Sequence, residues 1–465
     1  MAKPYSKKSA RIKRTLLLTL FFLILTAGAY GFGVYYFTNH FLPGSVVNNF
    51  NCSYMTVEEA ENLLSRQVDA FVMAVETRNN GVESISASEV GLKYVSDGSI
   101  QNMMKNQNRF QWFLAFEQQK RYDKTVTTQM DETALEQVVD KLNCMQPANM
   151  TAPANAEIVE TVEGFAVAPE DRGTTLDPEL VHQSVKNAMA TQQPVLNLEE
   201  SGCYIDPAIL QNDEKINRQC EQMNELTKAY ITYDFGDRSE LVERGLIKTW
   251  LTEDANGDMQ LDETKVAEYV NSLGYKYDTF GCTRTFTTSY GYDISIGGGD
   301  YGWAIDQSAE TAALIEAVKA QTVDVREPIY AFKGLCRDTN DIGSTYVEVD
   351  LANQTMFFYK DGELLVETEV VTGNSTIPGN ETPTGVYAID AMKSPATLAG
   401  ENYSSDVTYW MPFNGNVGIH DAPWRDEFGG TLYLEEGSHG CVNTPYEYAE
   451  IIYNNIVIGT PVVVY

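Results

Sequence analysis

Basic residues are scarce in this chain. Its 465 residues include 33 Lys and Arg against 65 Asp and Glu, and the formal net charge is −32. A phosphate backbone recruits lysine and arginine rather than carboxylates, so this balance argues against a nucleic-acid-binding protein. The hydrophobic content of 43% supports a folded chain. The length exceeds what a single core sustains, which predicts two or more domains.

Closely spaced cysteine pairs are missing as well. None of the seven cysteines forms a C-x-x-C pair, which argues against a zinc knuckle and against a thioredoxin-type redox site. If Cys441 is an odd, unpaired thiol, six cysteines remain for disulfides, and buried free thiols are an equal alternative. These six are Cys52, Cys144, Cys203, Cys220, Cys282 and Cys336.

Long hydrophobic runs are absent apart from one near the N-terminus. Residues 15–37 carry no charge and follow six basic residues without a carboxylate. At ~1.5 Å per residue this run covers ~30 Å of hydrocarbon, which predicts one transmembrane helix with Tyr30, Tyr35 and Tyr36 at its distal interface. The positive-inside rule places the N-terminus in the cytoplasm and residues 38–465 outside. Cleavage of a signal peptide near Ala27-Gly28-Ala29 is the alternative.

A short helix-start pattern occurs three times before residue 335. Its copies span residues 130–139, 176–185 and 261–270. In each copy an Asp stands where it can cap a helix, and the later apolar residues share one face. Runs rich in Thr, Tyr and Phe at 227–234 and 277–290 predict strands. The region therefore resembles repeated α+β modules, with chance recurrence of helix caps as the alternative to duplication.

From about residue 346 the pattern changes to short strands. Alternating segments at 346–350, 355–359 and 364–372 predict an antiparallel β structure, with Lys360-Asp361-Gly362 as a hairpin turn. Thr382-Pro383-Thr384-Gly385 begins a further strand, and residues 462–465 form the last one. Thr444-Pro445-Tyr446-Glu447 predicts one helix, because it combines a capping box with Pro at the first helical position.

Histidine is the scarcest of the reactive residue types. Two of the four histidines belong to Gly418-Ile419-His420 and to Ser438-His439-Gly440-Cys441-Val442-Asn443. Cys441 precedes the predicted helix N-terminus, whose partial positive charge favours a thiolate, so it is the candidate nucleophile. His420 is the better general base, because it comes from a separate strand. Asp421 would orient it through its carboxylate or its main-chain carbonyl.

The residues around the thiol have further expected roles and two alternative explanations. Gly440 lets the backbone approach a substrate closely, and the amides of residues 439–441 would bind an oxyanion. One alternative is a buried thiol with core histidines. The other is a zinc site formed by His420, His439 and Cys441, although the usual metalloenzyme spacing is lacking.

The motif residues closely resemble the cysteine-dependent L,D-transpeptidase family of bacterial cell-wall enzymes. The match covers about residues 340–465, and His420 together with Ser438 to Asn443 fills every position of the family signature. Thr382-Pro383-Thr384-Gly385 and His420-Asp421-Ala422-Pro423-Trp424 are also similar to family segments. Upstream, Met55-Thr56-Val57-Glu58-Glu59-Ala60 and Tyr301-Gly302-Trp303 resemble the peptidoglycan-binding-like modules that accompany such domains.

The resemblance implies a reaction and its partners. Cys441 would attack the third residue of a tetrapeptide stem and release D-Ala, and an amine of a neighbouring stem would resolve the thioester into a 3→3 cross-link. His420 would move the protons, Asp421 would orient it through its main-chain oxygen, and the Gly440 and Cys441 amides would hold the oxyanion. Ser438 and His439 would support the loop, and Trp424, Tyr409 and Asn443 would line the cleft, with apolar packing as an equal alternative for the two aromatic residues. Carbapenems are expected to acylate Cys441, and no metal or other cofactor is required.

These observations predict an α+β multi-domain protein with a predominantly β catalytic domain at its C-terminus. The expected parts are a cytoplasmic tail (1–14), a transmembrane helix (15–37), α+β modules (38–215 and 216–338) and an L,D-transpeptidase domain (339–465) at the cell wall outside the membrane. An L,D-carboxypeptidase, which gives the same thioester to water, is one alternative function. A non-catalytic wall-binding scaffold is the other.

Overall fold

The computed structural model describes residues 7–122, 126–400 and 403–465. The chain forms two compact units. The first comprises Met1–Glu157 and Ala168–Asn212, and the second comprises Ile158–Val167 and Asp213–Tyr465. Each unit has hydrophobic cores of its own.

The helices and strands are numbered here in chain order. The α-helices are α1 (Lys7–Tyr36), α2 (Val57–Asp69), α3 (Ser99–Lys105), α4 (Glu132–Val139), α5 (Pro178–Ala190), α6 (Glu214–Leu226), α7 (Arg244–Ile247), α8 (Glu263–Tyr277), α9 (Gln307–Lys319), α10 (Leu432–Glu436) and α11 (Tyr446–Asn455). The strands are β1 (Ser45–Val47), β2 (Phe50–Asn51), β3 (Val72–Glu76), β4 (Val82–Ser86), β5 (Lys93–Tyr94), β6 (Lys120–Tyr122), β7 (Thr128–Gln129), β8 (Glu157–Glu160), β9 (Phe165–Ala168), β10 (Val195–Asn197), β11 (Tyr230–Asp234), β12 (Ser239–Val242), β13 (Leu251–Glu253), β14 (Met259–Leu261), β15 (Arg284–Thr287), β16 (Asp293–Ile296), β17 (Ala304–Ile305), β18 (Val323–Arg326), β19 (Tyr330–Phe332), β20 (Tyr346–Asp350), β21 (Thr355–Lys360), β22 (Glu363–Glu369), β23 (Gly385–Ala388), β24 (Ala396–Gly400), β25 (Tyr403–Val407), β26 (Trp410–Asn414), β27 (Val417–Asp421), β28 (Val442–Thr444) and β29 (Pro461–Val464).

Helix α1 contains the predicted apolar segment. Its stretch Arg11–Tyr36 is long and apolar enough to cross a membrane, by length and composition. Most of its large apolar side chains are exposed. The N-terminal apolar helix expected from the sequence is therefore present.

The two units contain sheets with the same connectivity. In the first unit, β3 pairs with β4 as an antiparallel hairpin, and β10 joins the other side of β3 in parallel. In the second unit, β11 pairs with β12 in the same way, and β18 joins β11 in parallel. In both units the segment between the hairpin and the third strand contains helices: α4 and α5 in the first unit, and α8 and α9 in the second. This repeat explains the recurring helix-start pattern, and Asp131, Asp177 and Asp262 cap α4, α5 and α8 as predicted.

The C-terminal part of the second unit is predominantly β, as predicted. A five-stranded sheet has the order β22-β21-β20-β29-β23, and a smaller sheet has the order β26-β27-β28. Apolar side chains of both sheets, including Val349, Phe358, Phe413 and Ile419, share one buried core. Helix α11 contacts β22 and β27. The core thus holds the smaller sheet rigidly, and this sheet carries the residues of the predicted site.

Two local predictions were wrong. The strand expected at 277–290 begins only at Arg284, because Tyr277 is buried as the last residue of α8 and continues that helix's apolar face. The capping box expected at 444–447 is not formed. Thr444 is paired with Asp421 in β28, its hydroxyl donates to the Val442 carbonyl, and Pro445 precedes α11 without a side-chain cap.

All seven cysteines lie in the described residues, and each is a free thiol. Cys52, Cys203, Cys220 and Cys441 are buried, whereas Cys282 is exposed. Of the six cysteines considered for disulfides, three are therefore buried free thiols, the second of the two alternatives: Cys52, Cys203 and Cys220.

Candidate active site

The three polar residues of the site come from neighbouring strands. β27 and β28 are parallel, and their register places His420 opposite Asn443. Cys441 immediately precedes β28 and is 9% exposed. Because residues paired across neighbouring strands lie about 5 Å apart, this register brings the two motifs together from a sequence separation of more than twenty residues.

Hydrogen bonds from side-chain hydroxyls to the backbone hold the loop that carries the thiol. Gly440 has φ of 112°, a conformation that favours glycine. A β-carbon there would also lie 3.0 Å from Val417 Cγ2. The Thr382 hydroxyl donates to the Gly440 carbonyl (2.7 Å) and accepts from the Gly373 amide (2.9 Å). The Ser438 hydroxyl donates to the Cys441 carbonyl at 2.5 Å. The position of Cys441 is therefore set by its main chain.

A chain of hydrogen bonds determines the tautomer of His420. The Arg425 Nε–H donates to Asn443 Oδ1 at 2.8 Å, which leaves the Asn443 Nδ2 group to face His420 Nε2 at 3.2 Å. Since that amide nitrogen can only donate, Nε2 must accept, and the ring proton sits on Nδ1. Nδ1 lies 2.8 Å from the Asp421 carbonyl, which accepts this proton. The imidazole is thus unprotonated on Nε2, which accepts from Asn443.

Both reacting groups are neutral in this arrangement. Burial raises the pKa of the Cys441 thiol to about 11, and a hydrogen bond from the Gly418 amide offsets only part of this effect. Burial lowers the pKa of His420, whose ring is 3% exposed, although its bond to Asp421 opposes the shift. The thiolate expected from the sequence is therefore wrong for the resting site. Helix α11 begins at Tyr446, beyond β28, and the effect of a helix dipole fades within a turn.

A cleft of about 190 Å³ opens over these groups. The thiol lies in it beside the exposed His439, and the Trp424 ring lies 5.9 Å from the His420 ring, measured between centroids. The lining residues are Leu398, Ser405, His420, Trp424, Arg425, Gly437, Ser438, His439, Cys441 and Asn443. Six of the nine predicted site residues thus meet in one concave surface: Cys441, His420, His439, Ser438, Trp424 and Asn443.

The other three predicted residues have different surroundings. Tyr409 does not line the cleft, because its ring packs between Tyr446 and Tyr453 and its hydroxyl donates to Glu450. The Asp421 carboxylate accepts the amides of residues 408 and 409, so only its main-chain oxygen orients His420. The Gly440 amide donates to Ser438 Oγ at 3.1 Å. It is therefore engaged within the loop, and the Cys441 amide is the remaining candidate of the predicted pair for an oxyanion.

Sequence reasoning missed three contributors to the site. Arg425 orients Asn443, and Leu398 and Ser405 reach the cleft from the β24–β25 hairpin. A lone Arg directly after a predicted cleft tryptophan gives no signal of its partner, and the hairpin lies outside both motifs. Thr382 belongs to a segment that the sequence did single out, but its bond to Gly440 depends on the fold. In the described residues, no group of three or more His, Cys, Asp or Glu side chains is arranged to hold a metal ion.

Two family models match parts of the chain. Residues 344–464 match the family model of an L,D-transpeptidase catalytic domain, and residues 83–196 and 212–325 each match that of a peptidoglycan binding domain. No curated protein matches the chain.

Three solved structures are similar to parts of the chain. A crystal structure of an Enterococcus faecium L,D-transpeptidase mutant shares 37% identity, covering 53% of this chain and 100% of that one, with a TM-score of 0.47. The NMR structure of an E. faecium L,D-transpeptidase catalytic domain shares 46% identity over 26% of this chain and 96% of that one, with a TM-score of 0.24. The NMR structure of an E. faecium L,D-transpeptidase catalytic domain acylated by ertapenem shares 44% identity, covering 26% of this chain and 98% of that one, with a TM-score of 0.25.

A thiol, a neutral imidazole and an oriented amide in one cleft define a cysteine-dependent acyltransferase. The chain belongs to the L,D-transpeptidase family, because it covers the whole of a relative that is 37% identical and its C-terminal part matches the family model. It is thus a cysteine-dependent L,D-transpeptidase with two peptidoglycan-binding-type modules, and its chemistry is peptidoglycan cross-linking.

Proposed function

We propose that this protein is a membrane-anchored L,D-transpeptidase that forms 3→3 cross-links in peptidoglycan outside the membrane. The observation that carries the proposal is that Cys441 and a neutral His420 line one cleft. A neutral imidazole that is unprotonated at Nε2 is the form that can accept the proton of a thiol.

The first half-reaction transfers an acyl group to Cys441. As the sulfur attacks the carbonyl of the third stem residue, His420 Nε2 takes the thiol proton. The bond to the terminal D-Ala then breaks, and His420 returns the proton to the leaving amine. A thioester on Cys441 and free D-Ala result. Because the resting thiol is neutral, proton transfer must accompany the attack, and this makes His420 indispensable.

The second half-reaction regenerates the thiol. The side-chain amine of a neighbouring stem attacks the thioester while His420 takes one of its protons, and the amide bond forms as the sulfur leaves. His420 then returns its proton to Cys441. In both steps the Cys441 amide stabilises the negative charge on the carbonyl oxygen, and Asn443 and Asp421 keep the imidazole in the Nδ1–H tautomer between steps.

The cleft also offers surfaces for the stem peptides. Trp424 is half exposed beside His420, and Leu398 of the β24–β25 hairpin lines the same cleft. These two apolar groups fit the aliphatic parts of a stem. His439 is exposed in the same cleft and contributes to loop support and substrate contact. Carbapenems present a strained amide to the same sulfur, and the ertapenem-acylated relative supports inhibition by acylation of Cys441.

The proposed location follows from the N-terminal helix and the modules. The stretch Arg11–Tyr36 has the length and composition of a membrane span, and the basic residues before it place the N-terminus in the cytoplasm. The α+β modules, proposed at 38–215 and 216–338, would then connect the membrane to the catalytic domain at 339–465. A module family named for peptidoglycan binding supports contact of this region with the wall.

Product analysis tests the proposal directly. The full chain is incubated with purified disaccharide-tetrapeptide, and the products are weighed by mass spectrometry. A dimer formed with loss of one D-Ala supports the transpeptidase. A tripeptide monomer alone would indicate the carboxypeptidase, and unchanged substrate would favour the scaffold. Cys441→Ala should abolish both products, whereas Cys282→Ala, which alters an exposed thiol elsewhere, should keep them.

A further inference from the structure

A short aromatic segment of the first unit is unusually exposed. Residues 109–116 begin with a 3-10 helix, Arg109–Leu114, and are called here the aromatic platform. Three phenylalanines of the platform are half exposed or more: Phe110 at 55%, Phe113 at 50% and Phe116 at 59%. Clustered exposed aromatic side chains indicate an interaction surface.

The platform is fixed to helix α1. The Trp112 Nε1–H donates to the Tyr30 carbonyl at 3.3 Å, and the Tyr30 hydroxyl donates to the Phe110 carbonyl at 3.1 Å. Gly33 is buried under the Trp112 indole, and a β-carbon at this glycine would overlap the ring. The absence of a side chain at Gly33 therefore lets the platform lie directly against the helix.

The contact lies at a specific height on the helix. Gly33 is eighteen residues beyond Thr15, where the uncharged run begins, which is about 27 Å along the axis at 1.5 Å per residue. Hydrocarbon in a bilayer is about 30 Å thick. Trp112 and its neighbours would therefore lie at the outer boundary between acyl chains and headgroups, where Trp and other aromatic residues are enriched.

The charge around the platform differs from that of the whole chain. Residues 105–121 contain four basic side chains and one acidic one, Glu117, in a protein of net charge −32. The basic residues are Lys105, Arg109, Lys120 and Arg121, and all four are exposed. Basic residues beside an apolar surface complement anionic phosphate headgroups.

We propose that the aromatic platform is a second membrane contact, seated in the outer leaflet of a bilayer that contains anionic lipid. The proposal rests on the membrane span of the proposed function. Lipid is the partner that fits this surface, because the platform continues the apolar surface of α1, lies at the level of the outer membrane boundary and has basic residues beside it. Two contacts, one spanning and one lying in the interface, fix the tilt of the first unit over the membrane.

Depth-dependent fluorescence quenching tests this contact in the full chain. The protein is reconstituted in phosphatidylcholine–phosphatidylglycerol vesicles with or without bromine on the acyl chains, and the emission due to Trp112 is taken as the difference between the native chain and Trp112→Phe. Bromine should lower this difference about twofold or more. The triple variant Phe110→Ser, Phe113→Ser, Phe116→Ser keeps the indole but should lose most of the quenching.

The control is Val72→Ser with Val82→Ser, which removes two exposed apolar side chains of the same unit and should leave quenching unchanged. If the chain stays on the vesicles in alkaline carbonate but shows no quenching that depends on Trp112, the proposed membrane contact of the platform is wrong and the membrane span stands. Cross-linking of two chains through residues 109–116 in place of quenching would assign the surface to a second copy and overturn it too. Loss of the chain from the vesicles would refute the span and the platform together.

Discussion

The resting protonation state of Cys441 is the most specific physical consequence of the site. Burial raises the pKa of this thiol from an ordinary value of 9.0 to about 11. A shift of two units corresponds to ~2.7 kcal/mol against the charged form, so the thiolate at pH 7 is about 100-fold rarer than for an ordinary cysteine. We predict that direct alkylation of Cys441 is slow at neutral pH and accelerates about tenfold per pH unit from pH 7 to 10.

Alkylation by iodoacetamide measures this ionisation. The rate is followed by mass spectrometry of the peptide that contains Cys441, with Cys441→Ser as the blank. His420→Gln is the informative variant, because the imidazole is neutral at rest and should not change the profile. The reasoning would be refuted if the alkylation rate of the native chain levelled off by pH 7 and His420→Gln lost this plateau. Such a result would show a preformed thiolate–imidazolium pair.

Enzymatic acylation should follow a different pH profile. His420 has a pKa lowered below its ordinary 6.5 by burial, so it is already the neutral base throughout the neutral range. Acylation by a carbapenem should therefore be nearly constant from pH 6.5 to 8 and decline only at lower pH, as His420 becomes protonated. Because the pKa of His420 is lower in the folded than in the unfolded protein, its neutral ring contributes to the free energy of unfolding above pH 6.5. This contribution is lost as the pH falls through the pKa of His420 in the folded protein.

Three further variants test how the site is built. Thr382→Val leaves a buried amide and a buried carbonyl unpaired and should lower the free energy of unfolding by about 2–4 kcal/mol in denaturant titrations, whereas Thr382→Ser should be close to native. Arg425→Lys loses the Nε–H donor to Asn443 and should slow cross-linking at least about tenfold with an unchanged melting temperature. Gly440→Ala should lower the free energy of unfolding by about 1–3 kcal/mol and abolish activity. Gly415→Ala is the control, because Gly415 also has a positive φ but has open space around it; it should cost ~1 kcal/mol and leave activity intact. Equal effects of the two variants would contradict the role of the Val417 contact.

Local sequence signals predicted much of the fold. Asp131, Asp177 and Asp262 cap helices because an Asp side chain satisfies amides two or three residues away, an interaction set by the sequence alone. The strand at 346–350 is confirmed with the same bounds, since alternation and β-branched residues act at short range. The fold class, the family and the kind of enzyme are likewise confirmed. The domain boundaries stay predictions, and so do the roles of the site residues that meet in the cleft.

The errors fall where distant segments decide the outcome. The thiolate was predicted from a helix that seemed adjacent, but β28 intervenes, and burial raises the pKa of Cys441. The Gly440 amide was predicted to bind the oxyanion, but it donates to the Ser438 hydroxyl. Tyr409 carries no mark in the sequence that separates a cleft residue from one packed against α11. Such contacts require the three-dimensional neighbours, which spacing along the chain does not give.

Trapping of the acyl-enzyme tests the central claim most directly. The full chain is mixed with a disaccharide-tetrapeptide whose third-residue side-chain amine is acetylated, so that no acceptor amine is present, and it is quenched in acid within seconds, digested and weighed. The account predicts one new species, the peptide containing Cys441 with the added mass of the acetylated disaccharide-tetrapeptide less one D-Ala. Modification of any other residue, or cross-linked product formed by Cys441→Ala, would contradict it.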